Sequence, residues 1–397
     1  MFLLPVTAFS QGWVQSYNSS NTFNKVFTLD ANHAFVVGYN GVLLRTTTGG
    51  YSWEQIQTNT TENLLDVSFI NDSIGFICGA NGTLLKSTNG GTTWNPCTTN
   101  TTLALCGICF VNNNIGWISG SLNNSGFPNP SDTGIIIKTI NGGNSFTLCE
   151  SIYEGIRNVG AYNVDTCFAI CDSHILKTTN SGATWQTVIS HPGVKFTSIA
   201  TFPSGLSYIY SYDCYHYQTN NYGISWDSTF AEGLEFIDIS FPTPLIGYAA
   251  MYDPLSYYGA IYNTNNGDST WNLSYGGPSG PMFISVNFTN DSIGFAVTSD
   301  GYIYKHGLIT GINPESQSIS SSINVYPNPA TDKITIKTSP TPTRSQLTIM
   351  NLNGEEILTQ SLIKPKTQID ISSLPSGVYF VRLTNDRTVE VRKFVKE

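Results

Sequence analysis

From Val26 to Gly307 apolar and polar positions alternate in short runs, and turn residues interrupt the runs at a regular beat. The unit is clearest between Val67 and Trp94, read VSFINDSIGFICGANGTLLKSTNGGTTW. Val67 and Phe69 alternate with polar neighbours, Phe76–Cys78 form a second apolar run, and Leu84–Ser87 form a third after Asn81-Gly82. Period-two alternation bounded by Asn, Asp and Gly predicts strands, and an Asn-Gly pair between two runs predicts a tight hairpin. A small polar turn then leads into the tryptophan, where a fourth strand is predicted to begin.

Aligned on that tryptophan, units end at Trp53, Trp94, Phe146, Trp185, Trp226 and Trp271, and the third carries an insertion around Ser121–Thr133. A seventh opens at Ile284 and stops at Gly307, before its turn and tryptophan. Four short strands at a period of about forty residues are the signature of a β-propeller blade. The segment around Trp13 reads like the missing outer strand, so the N-terminus is predicted to complete the last blade and leave no sheet edge open at the closure. The expectation is a seven-bladed propeller over residues 11–307.

After Gly307 the beat is lost. Residues 308–323 are Ser-rich, as a linker is. Residues 324–397 return to alternation at Ile334/Ile336, Leu347/Ile349 and Tyr379/Val381/Leu383, which predicts a small immunoglobulin-like β-sandwich of about seven strands. The fold class is all-β throughout.

Composition narrows the function. Charged residues make up 11% of the 397-residue chain and the net charge is −9. Residues 1–310 hold 8 Lys+Arg against 19 Asp+Glu, whereas residues 311–397 hold 10 against 8. An acidic body poor in arginine repels phosphate backbones, so nucleic acid is not an expected partner. No apolar run is long enough to cross a bilayer. The opening LLPVTAFSQ places small residues at Ala8 and Ser10, so residues 1–10 are expected to be a signal peptide truncated at its start, cleaved before Gln11. All eight cysteines lie in the body and read first as buried small side chains, with disulfides as the alternative and a metal site last. No cofactor or metal is expected.

The turn before each tryptophan resembles the Asp-box of BNR repeats, S/T-x-D/N-x-G-x-S/T-W. Its positions are Ser87, Asn89, Gly91, Thr93 and Trp94 in the second unit, and Thr178, Asn180, Gly182, Thr184 and Trp185 in the fourth. Trp53, Trp226 and Trp271 close the first, fifth and sixth boxes, and Asp268 replaces the glycine in the sixth. Asx side chains stabilise turns and glycine supplies positive φ, so a structural role is expected, with the tryptophan covering apolar surface between blades. Taken together, the repeats resemble propellers of the photosystem II assembly-factor-like group. In the tail, Tyr326-Pro327-Asn328-Pro329, Asn353-Gly354, Leu374-x-x-Gly377-x-Tyr379 and a basic end with Lys393 and Lys396 resemble the type A C-terminal sorting domain of the type IX (Por) secretion system of Bacteroidota. That resemblance implies export, the type IX machinery as a partner, and removal of the domain at the outer membrane, leaving the body secreted or on the cell surface.

Chemistry is sparse. A sialidase needs three arginines on its substrate carboxylate, and the propeller offers only Arg45 and Arg157. Asp238, Glu235, Asp213 and Asp253 remain as candidates for an acid/base pair in the funnel, the basis of a runner-up reading as a glycan-degrading hydrolase. The preferred reading assigns no catalytic residues and expects non-enzymatic binding of a glycan or protein. Eleven of the 21 tyrosines fall between Tyr208 and Tyr262. Tyr257 and Tyr258, with Tyr252, are the ligand-binding candidates, and the third unit's insertion at Leu122–Asp132 is a second candidate surface.

Overall fold

The computed structural model describes residues 12–121, 133–152, 154–253, 258–278, 282–307, 323–338, 345–351, 356–362, 364–384 and 389–397. The leader at 1–10, the insertion at 122–132, Tyr257, the 308–323 linker up to residue 322, and Gly354 lie outside them. The chain divides into two compact units, Met1–Asn313 and Pro314–Glu397.

In the first unit seven four-stranded antiparallel sheets follow one another. The first sheet is built from Phe23–Thr28, Ala34–Gly38, Leu43–Thr46 and Glu54–Gln55. The second is built from Leu64–Phe69, Gly75–Gly79, Leu84–Ser87 and Asn95–Pro96. The third spans Ala104–Ile152, the fourth Ile156–Ser190, the fifth Phe196–Phe230 and the sixth Phe236–Pro278. The leading strand of each sheet packs against the leading strands on either side, and Phe23–Thr28 packs against Phe283–Phe288 of the seventh, so the succession closes on itself.

The closure is made as the sequence predicts. Gly12–Asn18 pairs antiparallel with Tyr302–Gly307, outside Gly294–Thr298 and Phe283–Phe288. Trp13 stands opposite His306 and is 8% exposed. Its indole meets Phe288 edge-on at 5.7 Å and donates to Ser274 Oγ of the sixth sheet at 3.0 Å.

Two local details differ from expectation. The fourth strand starts one residue after the tryptophan, at Glu54, Asn95, Gln186, Asp227 and Asn272, because the indole turns inward to the neighbouring sheet. In the first two sheets that strand is only two residues long; in the second it ends at Pro96, which has no N–H to continue a ladder. The predicted hairpins are present, with Asn81 at φ 53° and Gly82 at φ 69°.

The second unit has a three-stranded sheet (Ile323–Tyr326, Lys333–Thr338, Lys366–Asp370) and a four-stranded one (Glu356–Leu362, Ser345–Met350, Gly377–Thr384, Val389–Lys396). Ile334, Ile336 and Ile369 from the first share a core with Leu347, Ile349, Val381 and Phe394 from the second.

Trp13→Ala should cost about 3–5 kcal/mol, the usual loss for a buried aromatic. Urea unfolding of the full chain checks it; an unmoved first transition would show that this indole does not hold the closure.

Candidate functional site

Each box is a closed hydrogen-bond circuit. In the second sheet, Ser87 Oγ accepts from Gly91 N at 2.9 Å, and Asn89 Oδ1 accepts from Thr93 N at 3.0 Å while its amide donates to Thr93 Oγ1 at 2.9 Å. The fourth sheet repeats the circuit through Thr178, Asn180, Gly182 and Thr184. The glycine is required twice over. It takes φ 74° at Gly91, and a methyl there would run into the Phe35 ring of the preceding sheet. On Gly182 a Cβ would come within 2.7 Å of Trp117. The box tryptophans meet the same rings edge-on: Trp53 on Phe295, Trp94 on Phe35, Trp185 on Trp117 and Trp226 on Phe168.

Asp268, the departure in the sixth box, keeps φ 76° and uses its carboxylate where the others have a bare backbone. Tyr210 donates to Asp268 Oδ1 at 2.5 Å, Trp271 Nε1 donates to it at 2.7 Å, and His216 Nδ1 lies 3.3 Å away. This explains part of the tyrosine enrichment: Tyr208 and Tyr210 are buried seam residues, and burial pushes both phenols up.

A strap was hidden in the repeated Leu-Leu-Lys/Arg. Lys86 reaches Gly142 O in the next box at 2.6 Å, Lys138 reaches Ser181 O at 2.8 Å, and Arg45 reaches Thr92 Oγ1 at 2.8 Å. The ammonium of Lys138 also lies 4.2 Å over the Trp117 ring.

A second level of cross-links rings the inner strands. Every leading strand carries a register shift near its start, and the residue after it is Lys25, Asp66, Gly107, Asn158, Ser198, Asp238 or Ser285. Four of these accept from the backbone of the following sheet: Asp66 from Ile108 N, Ser198 from Ile239 N, Asp238 from Val286 N and Ser285 from Val26 N. Lys25 cannot accept; it donates to both oxygens of Asp238, at 2.8 and 2.9 Å. Ser285 and Ser198 donate to the same carboxylate at 2.7 and 3.2 Å. Burial pulls the Lys25 ammonium down, but the carboxylates of Asp238 and Asp66 outweigh it and leave its pKa raised. Burial pushes Asp66 up to about 6, against the pull of Lys25 and of the Ile108 and Val67 amides.

In the second unit the sorting residues form one clasp. Asn328 accepts from Val395 N at 2.9 Å and donates to Lys393 O at 3.2 Å, between Pro327 and Pro329. Tyr326 is exposed, and the Tyr379 hydroxyl, two residues after Gly377, donates to Pro375 O at 2.8 Å beneath Phe394. Lys393 is exposed, and Lys396 donates to the carbonyl oxygen of Glu397.

Residues 324–397 match the secretion system C-terminal sorting domain, and residues 51–209 match the photosynthesis system II assembly factor YCF48. The body is a propeller whose repeats over residues 51–209 are similar to those of YCF48, and the tail matches the type IX sorting domain. Among solved structures, YCF48 from Cyanidioschyzon merolae superposes with a TM-score of 0.59 at 18% identity, covering 75% of this chain and 99% of that one. YCF48 bound to D1 peptide gives 0.56 at 16% identity, covering 77% and 99%. The Niastella koreensis GH74 enzyme gives 0.59 at 12% identity, covering 96% and 74%. No curated protein matches the chain. The sorting domain indicates export by type IX secretion and a secreted, cell-surface location.

Of the candidate carboxylates, Asp238 is buried and engaged by the bonds just described. Asp213 accepts from Lys195 N at 2.7 Å. Of Asp253 only the backbone is described, pairing with Tyr258 in the sixth sheet as Tyr252 pairs with Gly259. A Ser-His-Glu set missed in the sequence lies at Glu154, Ser173 and His174, but it has the wrong connectivity for a nucleophile. Ser173 Oγ and Glu154 Oε2 both address His174 Nδ1, at 2.9 and 2.7 Å, and Glu154 Oε1 accepts from Ser173 N and Oγ. That set ties a connector to a turn. The eight cysteines form no disulfide, four of them are buried, and burial pushes Cys109 up to about 11.

Two outcomes follow from the inner ring. Asp66 has a folded pKa above its unfolded value, so its contribution is full near pH 4 and is lost as pH rises through about 6. Asp66→Asn should flatten that part of the stability–pH profile by roughly 3 kcal/mol, measured by urea titration at successive pH values. Lys25→Met should cost about 3 kcal/mol by stranding Asp238, and Lys25→Met with Asp238→Leu should recover most of it. Equal losses in the single and double variants would show that the pair is not coupled.

Proposed function

We propose that the propeller is a non-enzymatic binding domain for a glycan or protein ligand, delivered to the outside of the cell by its sorting domain and parted from that domain at the outer membrane. The supporting observation is the fate of the candidate carboxylate: Asp238 is 5% exposed and spends both oxygens on Lys25, Ser198, Ser285 and Val286 N. A general acid or base must reach substrate within hydrogen-bond distance, and this one is already saturated. The likeness to the GH74 enzyme is one of fold, and a glycan-degrading hydrolase is the second reading. A YCF48 propeller holds a peptide, which keeps a protein ligand alongside a glycan.

The full chain should release no reducing ends from soluble β-glucan, xyloglucan, mannan or chitin oligomers above the buffer blank, while retaining some ligand on a combined glycan and peptide array. Turnover by the wild type that disappears in Asp238→Asn would restore the hydrolase.

A further inference from the structure

The fifth sheet breaks the repeat at its outer, upper corner. Its third strand, Tyr215–Thr219, pairs with its fourth, Asp227–Phe230, so that Tyr215 stands opposite Phe230. The equivalent pairs, four residues before the box threonine, are Ile135 and Ser151 in the third sheet, His174 and Ser190 in the fourth, and Ala260 and Gly276 in the sixth. Among these pairs only the fifth sheet's has an aromatic side chain on both strands. The two rings lie 5.2 Å apart, and Phe230 is 59% exposed although it is a large apolar side chain. His191, from the connector that leaves the fourth sheet, stands edge-on to Tyr215 at 4.6 Å. Its Nδ1 is held by the Tyr217 hydroxyl at 2.5 Å, which fixes the imidazole and leaves Nε2 as its second hydrogen-bonding atom. Val188 and Ile189 of the fourth sheet pack into the same apolar cluster as Tyr215 and Tyr217.

Access is open on both flanks. Gly193 and Gly233, at the tips of the two connectors beside these rings, have φ 89° and 78°, and a Cβ on either would meet nothing within 4 Å. Of the cations nearby, Arg157 is paired with Asp172 at 2.8 Å, and the exposed Lys195 follows on the connector that carries His191. The corner is an apolar aromatic surface with a polar edge.

A hexopyranose has that complementary shape, with one face of C–H groups and a rim of hydroxyls. The geometry points to a neutral-sugar subsite at Phe230, Tyr215 and His191, in which the ring stacks on the aromatic pair and a hydroxyl bonds the imidazole. The assignment rests on the glycan branch of the proposed function and gives it a place.

The test uses the full chain, with cellohexaose, mannohexaose and chitohexaose titrated by calorimetry. At least one should bind, and Phe230→Ala and Tyr215→Ala should each weaken it tenfold or more. Leu273→Ala, an exposed apolar residue on the outer strand of the sixth sheet, should leave it unchanged. Binding that survives Phe230→Ala overturns the subsite and leaves the glycan reading standing. If no oligosaccharide binds, both are overturned. If instead a peptide from the array binds and is lost in Phe230→Ala, the corner is a site but the sugar assignment is wrong.

Discussion

The seam between neighbouring sheets is the constraint on which the propeller depends. A four-stranded sheet of this size buries too little by itself, so each must be held against the next. The box turn does this by presenting a glycine where no side chain fits, so that a ring from the preceding sheet closes on backbone. The tryptophan then meets that ring edge-on, and the strap lysine crosses to the next box carbonyl. Aromatic contact, backbone shape and a charge-assisted hydrogen bond act at one place, so losing one loosens the others.

The scaffold was largely legible in the sequence because its signals are local. Asn81-Gly82 encodes a turn within four residues, and Trp94 marks where the fourth strand of its sheet is about to begin. Trp13 could be assigned to the closure because a repeat with one copy short identifies the missing part. Less was legible about what crosses the seams. Nothing near Lys25 announces Asp238, more than two hundred residues later, and the register shifts that align the inner ring leave no mark in the hydrophobic pattern. The lysine of Leu-Leu-Lys was visible as part of a motif, but its acceptor lies in the next repeat. The tyrosines were noticed as a group, and the structure separates them by role. Tyr208 and Tyr210 close a seam around Asp268, whereas Tyr215 belongs to an open corner that composition could not single out from its neighbours.

The two units carry different kinds of information. In the sorting domain the motif residues Asn328, Tyr379 and Lys393 converge on the last strand, so the sequence fingerprint is also a packing unit. In the propeller the motif residues are spent on architecture, and chemistry is left to positions where the repeat lapses.

The closure by Gly12–Asn18 has a kinetic side. The strand at the beginning of the body completes a sheet whose other members are the last three of the propeller, so this pairing has the greatest sequence separation in the ring. Loop-closure entropy makes such a contact slow to form. Until it forms, six finished sheets stand beside a seventh that lacks its edge, with Phe288 and Tyr304 deprived of cover. The seventh sheet is therefore complete only once residues 302–307 are available to pair with Gly12–Asn18.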